Sequence, residues 1–250
     1  GYDRLRWPAK CMEYVIGADG FEYQQGTHYE LKNGNIKWIS QISIKALSDD
    51  ELLELMRVSG CLGVLVGFES LVPENLTQMN KAWNGTAGDY SEALARLRNR
   101  GISSYPTFVF GYDHDTQASF DAALELALRE KFFFIAFNHL VPFPGTPLYD
   151  DLNKQGRLLY AQWWLDPAYT FGSVAFKPRN FSARELSEAC LVFRKKFYSF
   201  PSIARRALDG RANCRGLFKT AAYLSLNLLA RKEVSQRAGL PLGNDENNAD

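Results

Sequence analysis

Cysteine is scarce in this 250-residue chain. The four present, Cys11, Cys61, Cys190 and Cys214, stand too far apart for a disulfide framework and share no metal-binding spacing. Scattered thiols of this kind fit a reducing compartment, and a cytoplasmic location is expected. Histidine is rarer still, at three residues, and His114 between Asp113 and Asp115 gives no metal-ligand geometry. Long hydrophobic runs are missing too. The most apolar late stretch, Leu217 to Ala230, contains Lys219 and Asn227 and is too short to span a bilayer. Gly1 to Gly20 lacks a basic segment followed by an apolar one, so no secretory signal is read there. Neither an internal repeat nor a low-complexity tract occurs, apart from a polar tail over 244–250 expected to be disordered.

Against these absences, 46% of the residues are hydrophobic, enough for a sizeable core in one or two domains. Short apolar runs at Ile36–Ser43, Gly63–Phe68, Tyr105–Phe110 and from Phe134 onward read as strands. Between them lie helical patterns. Ser48–Glu51 has the form of a capping box ahead of Leu52, Leu53, Leu55 and Met56, with Gly60 as the stop. Tyr90–Arg100 ends at Gly101, and Asp115–Glu130 carries Phe120, Leu124 and Leu128 on one stripe, with Asp115 as the expected N-cap. Strand and helix alternate, which implies a parallel sheet. The fourth run stops at Pro142, Pro144, Gly145 and Pro147, a stiff loop of the kind that holds ligands at strand ends in α/β barrels or simply forms a rigid turn.

Five motifs occur in order: Gly67-Phe68-Glu69-Ser70; Leu76 with Met79-Asn80-Lys81; Phe110-Gly111-Tyr112-Asp113 with Asp115-Thr116 and Phe120; Pro144-Gly145-Thr146-Pro147-Leu148-Tyr149; and Gly156-Arg157-Leu158-Leu159. Together they resemble the later half of a radical S-adenosylmethionine enzyme of the subclass carrying a cobalamin-binding domain. The resemblance implies an α/β fold, a partial TIM-like parallel barrel over 36–159 with a mostly helical, basic extension over 160–243, after an unassigned segment 1–35. It implies S-adenosylmethionine and a 4Fe-4S cluster as cofactors, with cobalamin in a preceding domain, and radical methyl transfer or rearrangement as the activity. Gly67, Glu69, Ser70, Gly111, Asp113, Pro144 and Gly145 are the cofactor-binding residues it implies, with no metal ligand and no catalytic residue assigned.

The sequence departs from that family where the cluster should be held. The family's C-x-x-x-C-x-x-C motif is absent, and convergent thiolates are what such a cluster requires. Cys61 reads instead as a buried structural thiol. Two accounts follow: the C-terminal piece of a longer protein, favoured by the intact later motifs, or a degenerate paralogue lacking the cluster; the rival from another class is a non-catalytic interaction module using the basic helices. An unrelated barrel enzyme using Glu69, Asp113 and His139 for acid–base work is a third.

Net charge is only +1, yet Arg179 to Arg237 holds thirteen bases against four acids. Such an extension could meet a missing N-terminal half, another acidic partner or an anionic membrane surface, making the protein peripheral to a membrane; nucleic acid is the lesser expectation. Trp163, Trp164, Tyr169, Phe171 and Phe176 form an aromatic connector ahead of its first helix, which Ser182–Glu185 opens in the form of a capping box. On the strands, Gln41 and Ser43 share one face as weaker pocket candidates; one of Asn138 and His139 faces the pocket in a barrel, against the more frequent outcome of a hydrogen-bonded core histidine. A small molecule or a lipid is the expected substrate class, without an identity.

Overall fold

The computed structural model describes residues 15–17, 20–22, 37–85, 90–236 and 239–241. The expectations for most of 1–35, for Cys11 and for the tail 244–250 fall outside them. Val15–Gly17 (β1) and Gly20–Glu22 (β2) pair antiparallel. Trp38–Ile42 (β3), Cys61–Glu69 (β4), Ser103–Phe110 (β5) and Ala136–His139 (β6) form a four-stranded sheet in the order β3-β4-β5-β6, with every pair parallel. The α/β class, the alternation of strand and helix, and the parallel sheet are as the sequence predicts.

Asp50–Val58 (α1) joins β3 to β4 after a 3-10 turn at Ile44–Ser48. Pro73–Gln78 (α2), Ala82–Gly85 (α3) and Tyr90–Asn99 (α4) join β4 to β5, and Gln117–Arg129 (α5) joins β5 to β6. Two expected caps are displaced by one residue. Ser48 is used up in the 3-10 turn, so Asp49 caps α1 and accepts from Leu52 N at 2.9 Å. Asp115 turns inward, and Thr116 takes the N-cap position of α5, its N–H donating to Ser119 Oγ at 3.1 Å.

Alternation along the strands builds two unlike faces. Val64, Val66 and Phe68 of β4, with Phe108 and Phe110 of β5, are buried on the helical side, whereas Leu65, Gly67, Tyr105, Thr107 and Val109 lie half-exposed on the other. Phe110 stacks on Phe120 of α5 with ring centres 3.8 Å apart, and Phe137 of β6 stacks on Phe108 and Phe110. Each such buried ring contributes about 2–3 kcal/mol relative to exposure.

After β6 come Pro147–Lys154 (α6), Ala183–Phe197 (α7), Phe200–Ala207 (α8) and Gly216–Gln236 (α9). The expected capping box of α7 is present: Ser182 Oγ accepts from Glu185 N, and Glu185 accepts from Ser182 N at 2.7 Å. Phe176, Leu186, Phe193 and Phe197 belong to the same core as the sheet. Arg194 of α7 donates through Nε and Nη2 to Phe137 O at 2.9 and 2.7 Å, giving a partner to an acceptor on the sheet's β6 edge.

Candidate functional site

Glu69 closes β4 in a conformation that L-residues avoid. Its φ is +64°, and Ser70 N donates back to Phe68 O at 2.8 Å across it, a γ-turn of the strained kind. At this point the register against β5 slips, Gly67 pairing with Thr107 and Glu69 with Phe108. The side chain folds back over Gly67, where an added Cβ would stand 2.6 Å from Glu69 Oε1. A side chain at position 67 would displace the carboxylate that lies over the bare glycine. Lys81 approaches from the α2–α3 turn and puts Nζ 2.6 Å from Oε1. Among the described residues, Glu69 Oε2 has no partner and stays available to a donor.

The turn is held from behind. Ser70 is buried, its Oγ accepting from Val72 N at 3.0 Å. Asn84 of α3 donates to Gly67 O and Phe68 O at 3.3 Å each, while its buried Oδ1 has no partner among the described residues. Tyr112 sits beside Glu69 and Asp115; burial, and then these two negative charges, push its phenol up to about 12. It stays protonated at neutral pH.

The next turn, after β5, is a brace. Asp115 is fully buried and accepts from Gly111 N at 2.8 Å, Tyr112 N at 3.1 Å and Asn75 Nδ2 at 2.8 Å. Burial raises its carboxyl to about 6 in spite of those donors. Asp113 is gripped by Arg157 Nη1 at 3.0 Å and Arg179 Nε at 2.8 Å. Partial burial works to raise this carboxyl, but the two guanidiniums outweigh it and hold it below the ordinary carboxylate range. Gly111, at φ +111°, has no room for a side chain, because a Cβ would meet Leu186 at 2.8 Å and Phe176 at 3.0 Å. These residues fasten the extension to the end of β5.

The proline loop lies two strands away from Glu69, after β6. Pro144 and Gly145 are exposed, and the loop is fixed by Trp163 Nε1 donating to Pro142 O at 2.8 Å and by Thr146, which donates to Phe143 O at 2.7 Å. Along β6, Asn138 is exposed. His139 is largely enclosed, its Nε2 unpartnered among the described residues, and burial followed by the Arg194 charge lowers its pKa to about 4. Both border a groove of about 480 Å³ shared with Tyr105, Ser187 and Arg194.

Of the seven residues the sequence points to, Gly67, Glu69 and Ser70 gather on one turn, Gly111 and Asp113 brace its neighbour, and Pro144 and Gly145 stand at a separate loop. Lys81 and Tyr112 belong to the five motifs, yet the resemblance does not mark them as cofactor-binding. Asn84 carried no sequence signal beyond being polar just after the Lys81 motif.

The described thiols do not fit an iron–sulfur cluster. Cys61 begins β4 at the end opposite Glu69, about 26 Å along the strand. Cys190 is buried in α7, its thiol pushed up to about 12 by burial, and Cys214 precedes α9. No three potential metal ligands converge among the described residues.

No protein-family model matches the chain. It is similar to bacteriochlorophyllide d C-12(1)-methyltransferase of Chlorobaculum tepidum, 29% identical over 201 residues, covering 79% of this chain and 43% of that protein. It is also similar to bacteriochlorophyllide d C-8(2)-methyltransferase of the same organism, 27% identical over 53% of this chain and 30% of the relative. Hopanoid C-2 methylase of Rhodopseudomonas palustris is 26% identical over 56% of this chain and 25% of its own length. The chain thus spans less than half the length of the curated relatives it matches. Among solved structures, the radical S-adenosylmethionine methyltransferase TsrM of Kitasatospora setae, with cobalamin and a 4Fe-4S cluster bound, superposes at a TM-score of 0.42 with 14% identity, over 77% of this chain and 44% of that one.

Proposed function

We propose that this chain is the cofactor-positioning part of a methyl-transferring enzyme of the radical S-adenosylmethionine type, its sheet being the later strands of a partial barrel. The observation that carries the reading is the Glu69 turn. A carboxylate is kept at a positive φ, over a bare glycine, at the carboxyl end of a parallel strand where such folds bind ligands. Likeness to methyltransferases over most of the chain supports the reaction class.

In this reading the free Oε2 of Glu69 accepts a hydrogen bond from a ribose hydroxyl or an ammonium group. Lys81 both orients that carboxylate and offers its charge to a ligand carboxylate. Tyr112, protonated at neutral pH, remains a donor beside them. Bound there, S-adenosylmethionine would supply the methyl or 5'-deoxyadenosyl group used in such chemistry. The thiols described above do not suit a cluster, so no step is routed through one, and cobalamin is assigned no residue of this chain. The scatter of those thiols is the one observation favouring a non-catalytic module instead.

Calorimetric titration of S-adenosylmethionine into the chain separates the two readings. Measurable binding, weakened about 10- to 100-fold by Glu69→Gln, is expected from loss of a charge-assisted hydrogen bond. Absence of binding by the wild type, or equal affinity of wild type and variant, would overturn the cofactor reading.

A further inference from the structure

Helix α9 turns several polar groups inward, while its later residues Ala230 and Val234 pack on the core. Its inward stripe carries polar groups: Lys219 Nζ donates to Gly101 O at 2.5 Å and Leu62 O at 3.1 Å, Tyr223 OH donates to Ile203 O at 2.8 Å, and Asn227 Oδ1 accepts from Arg206. Tyr223 and Asn227 are fully buried. The opposite surface is mostly apolar, with Leu217, Ala221, Leu224 and Leu228 on one line and Phe218, Ala222, Ser225 and Leu229 on the next. Leu217 is 92% exposed and Phe218 70%. A helix packed on a soluble core normally shows the reverse order.

Bases rim this apolar face. Lys195, Arg231 and Lys232 border a groove of about 450 Å³ whose other walls are Tyr198, Phe200 and Leu228. Arg231 is fixed there by its bond to Tyr198 O at 3.1 Å and by lying 4.3 Å over the Phe200 ring, while Lys195 and Lys232 are exposed. Arg205, Arg211, Arg215 and Leu208 add exposed charge and apolar surface at the turn before the helix. The nearby acid on α9 is Glu233.

We propose that this surface docks on an anionic lipid bilayer, with Leu217, Phe218, Leu224, Leu228 and Leu229 entering the headgroup layer and a lipid phosphate in the Lys195–Arg231–Lys232 groove. Apolar side chains beside concentrated positive charge match the two parts of such a surface, tails and anionic headgroups. No helix among the described residues is long and apolar enough to cross a membrane, so α9 lies along the surface. The proposal does not depend on the cofactor reading.

Flotation of the full chain with vesicles tests it. With about 30 mol % phosphatidylglycerol in phosphatidylcholine, the chain floats at low salt, and its partition coefficient falls about 30-fold for Lys195→Gln/Lys232→Gln, as expected for two charges near the surface. Leu217→Ser/Phe218→Ser/Leu229→Ser abolishes flotation without moving the thermal midpoint, since all three side chains point away from the core. A wild type that stays in the aqueous phase overturns the proposal, as does flotation insensitive to both variants. So does a lipid-independent dimer, seen by sedimentation velocity, that the serine variant dissociates while the wild type fails to float; the face would then join two copies of the chain.

Discussion

Arg206 Nη2 and Asn227 Oδ1 meet at 3.1 Å in the interior between α8 and α9, and of the five hydrogen bonds this guanidinium makes among the described residues none goes to a carboxylate. The others run to Ser202 Oγ and to the carbonyls of Phe132, Phe133 and Phe197. Burial lowers its pKa to about 10, leaving it charged at neutral pH, and its cation rests 3.7 Å over the Phe197 ring. A residue that counts toward a basic surface in the sequence is thus the cross-brace of the extension.

Arg206→Met should therefore destabilise the chain by about 3 kcal/mol, because several buried acceptors lose their donor together. Arg206→Lys should recover less than half of that, since an ammonium cannot satisfy acceptors spread along a planar fork. Urea denaturation of the three proteins measures both; a loss below about 1 kcal/mol for the methionine variant would refute the brace.

Gly111→Ala should cost about 2–3 kcal/mol, combining a positive φ with overlap against Leu186 and Phe176. The loss should appear in the unfolding midpoint. A variant as stable as wild type but defective in ligand binding would show that Gly111 serves the ligand instead.

Glu69→Gly should behave in the opposite way. Relief of the +64° φ offsets the loss of the Lys81 pair, so unfolding should move by no more than about 1 kcal/mol. S-adenosylmethionine affinity should fall as for Glu69→Gln. A large drop in stability would make Glu69 structural.

Two buried groups oppose each other in acid. His139 falls from 6.5 to about 4 on folding, so its share of stability is complete above pH 6.5 and is lost as pH falls toward 4. Asp115 rises from 3.8 to about 6, so its share is complete below pH 3.8 and is lost as pH climbs through 6. Their slopes cancel between about pH 4 and 6. His139→Gln removes one of them, and the variant's stability relative to wild type should increase steadily as pH is lowered across that window. A pH-independent difference between the two denaturation curves would show that His139 does not titrate this way.

Much of the fold was legible because hydrophobic period and stop signals are local. The runs around Gly63–Phe68 and Tyr105–Phe110, the α4 stop at Gly101 and the Ser182–Glu185 cap are read from neighbouring residues and appear as expected. Cap positions slipped where two candidates stood side by side: Asp49 displaced Ser48 because the 3-10 turn had taken the serine, and Thr116 displaced Asp115 because a buried carboxylate was needed to hold the Gly111 turn.

The candidate site was legible only as a set of motifs. That Gly67 lies beneath Glu69, that Lys81 returns to meet it, and that Asp113 is consumed by Arg157 and Arg179 depend on contacts between distant parts of the chain, which carry no periodic signal. The fate of charge was decided the same way. The sequence set how many bases the extension carries, but tertiary packing turned Arg206 and Lys219 inward and the leucines of α9 outward, because buried carbonyls needed donors and one narrow polar stripe of the helix could reach them.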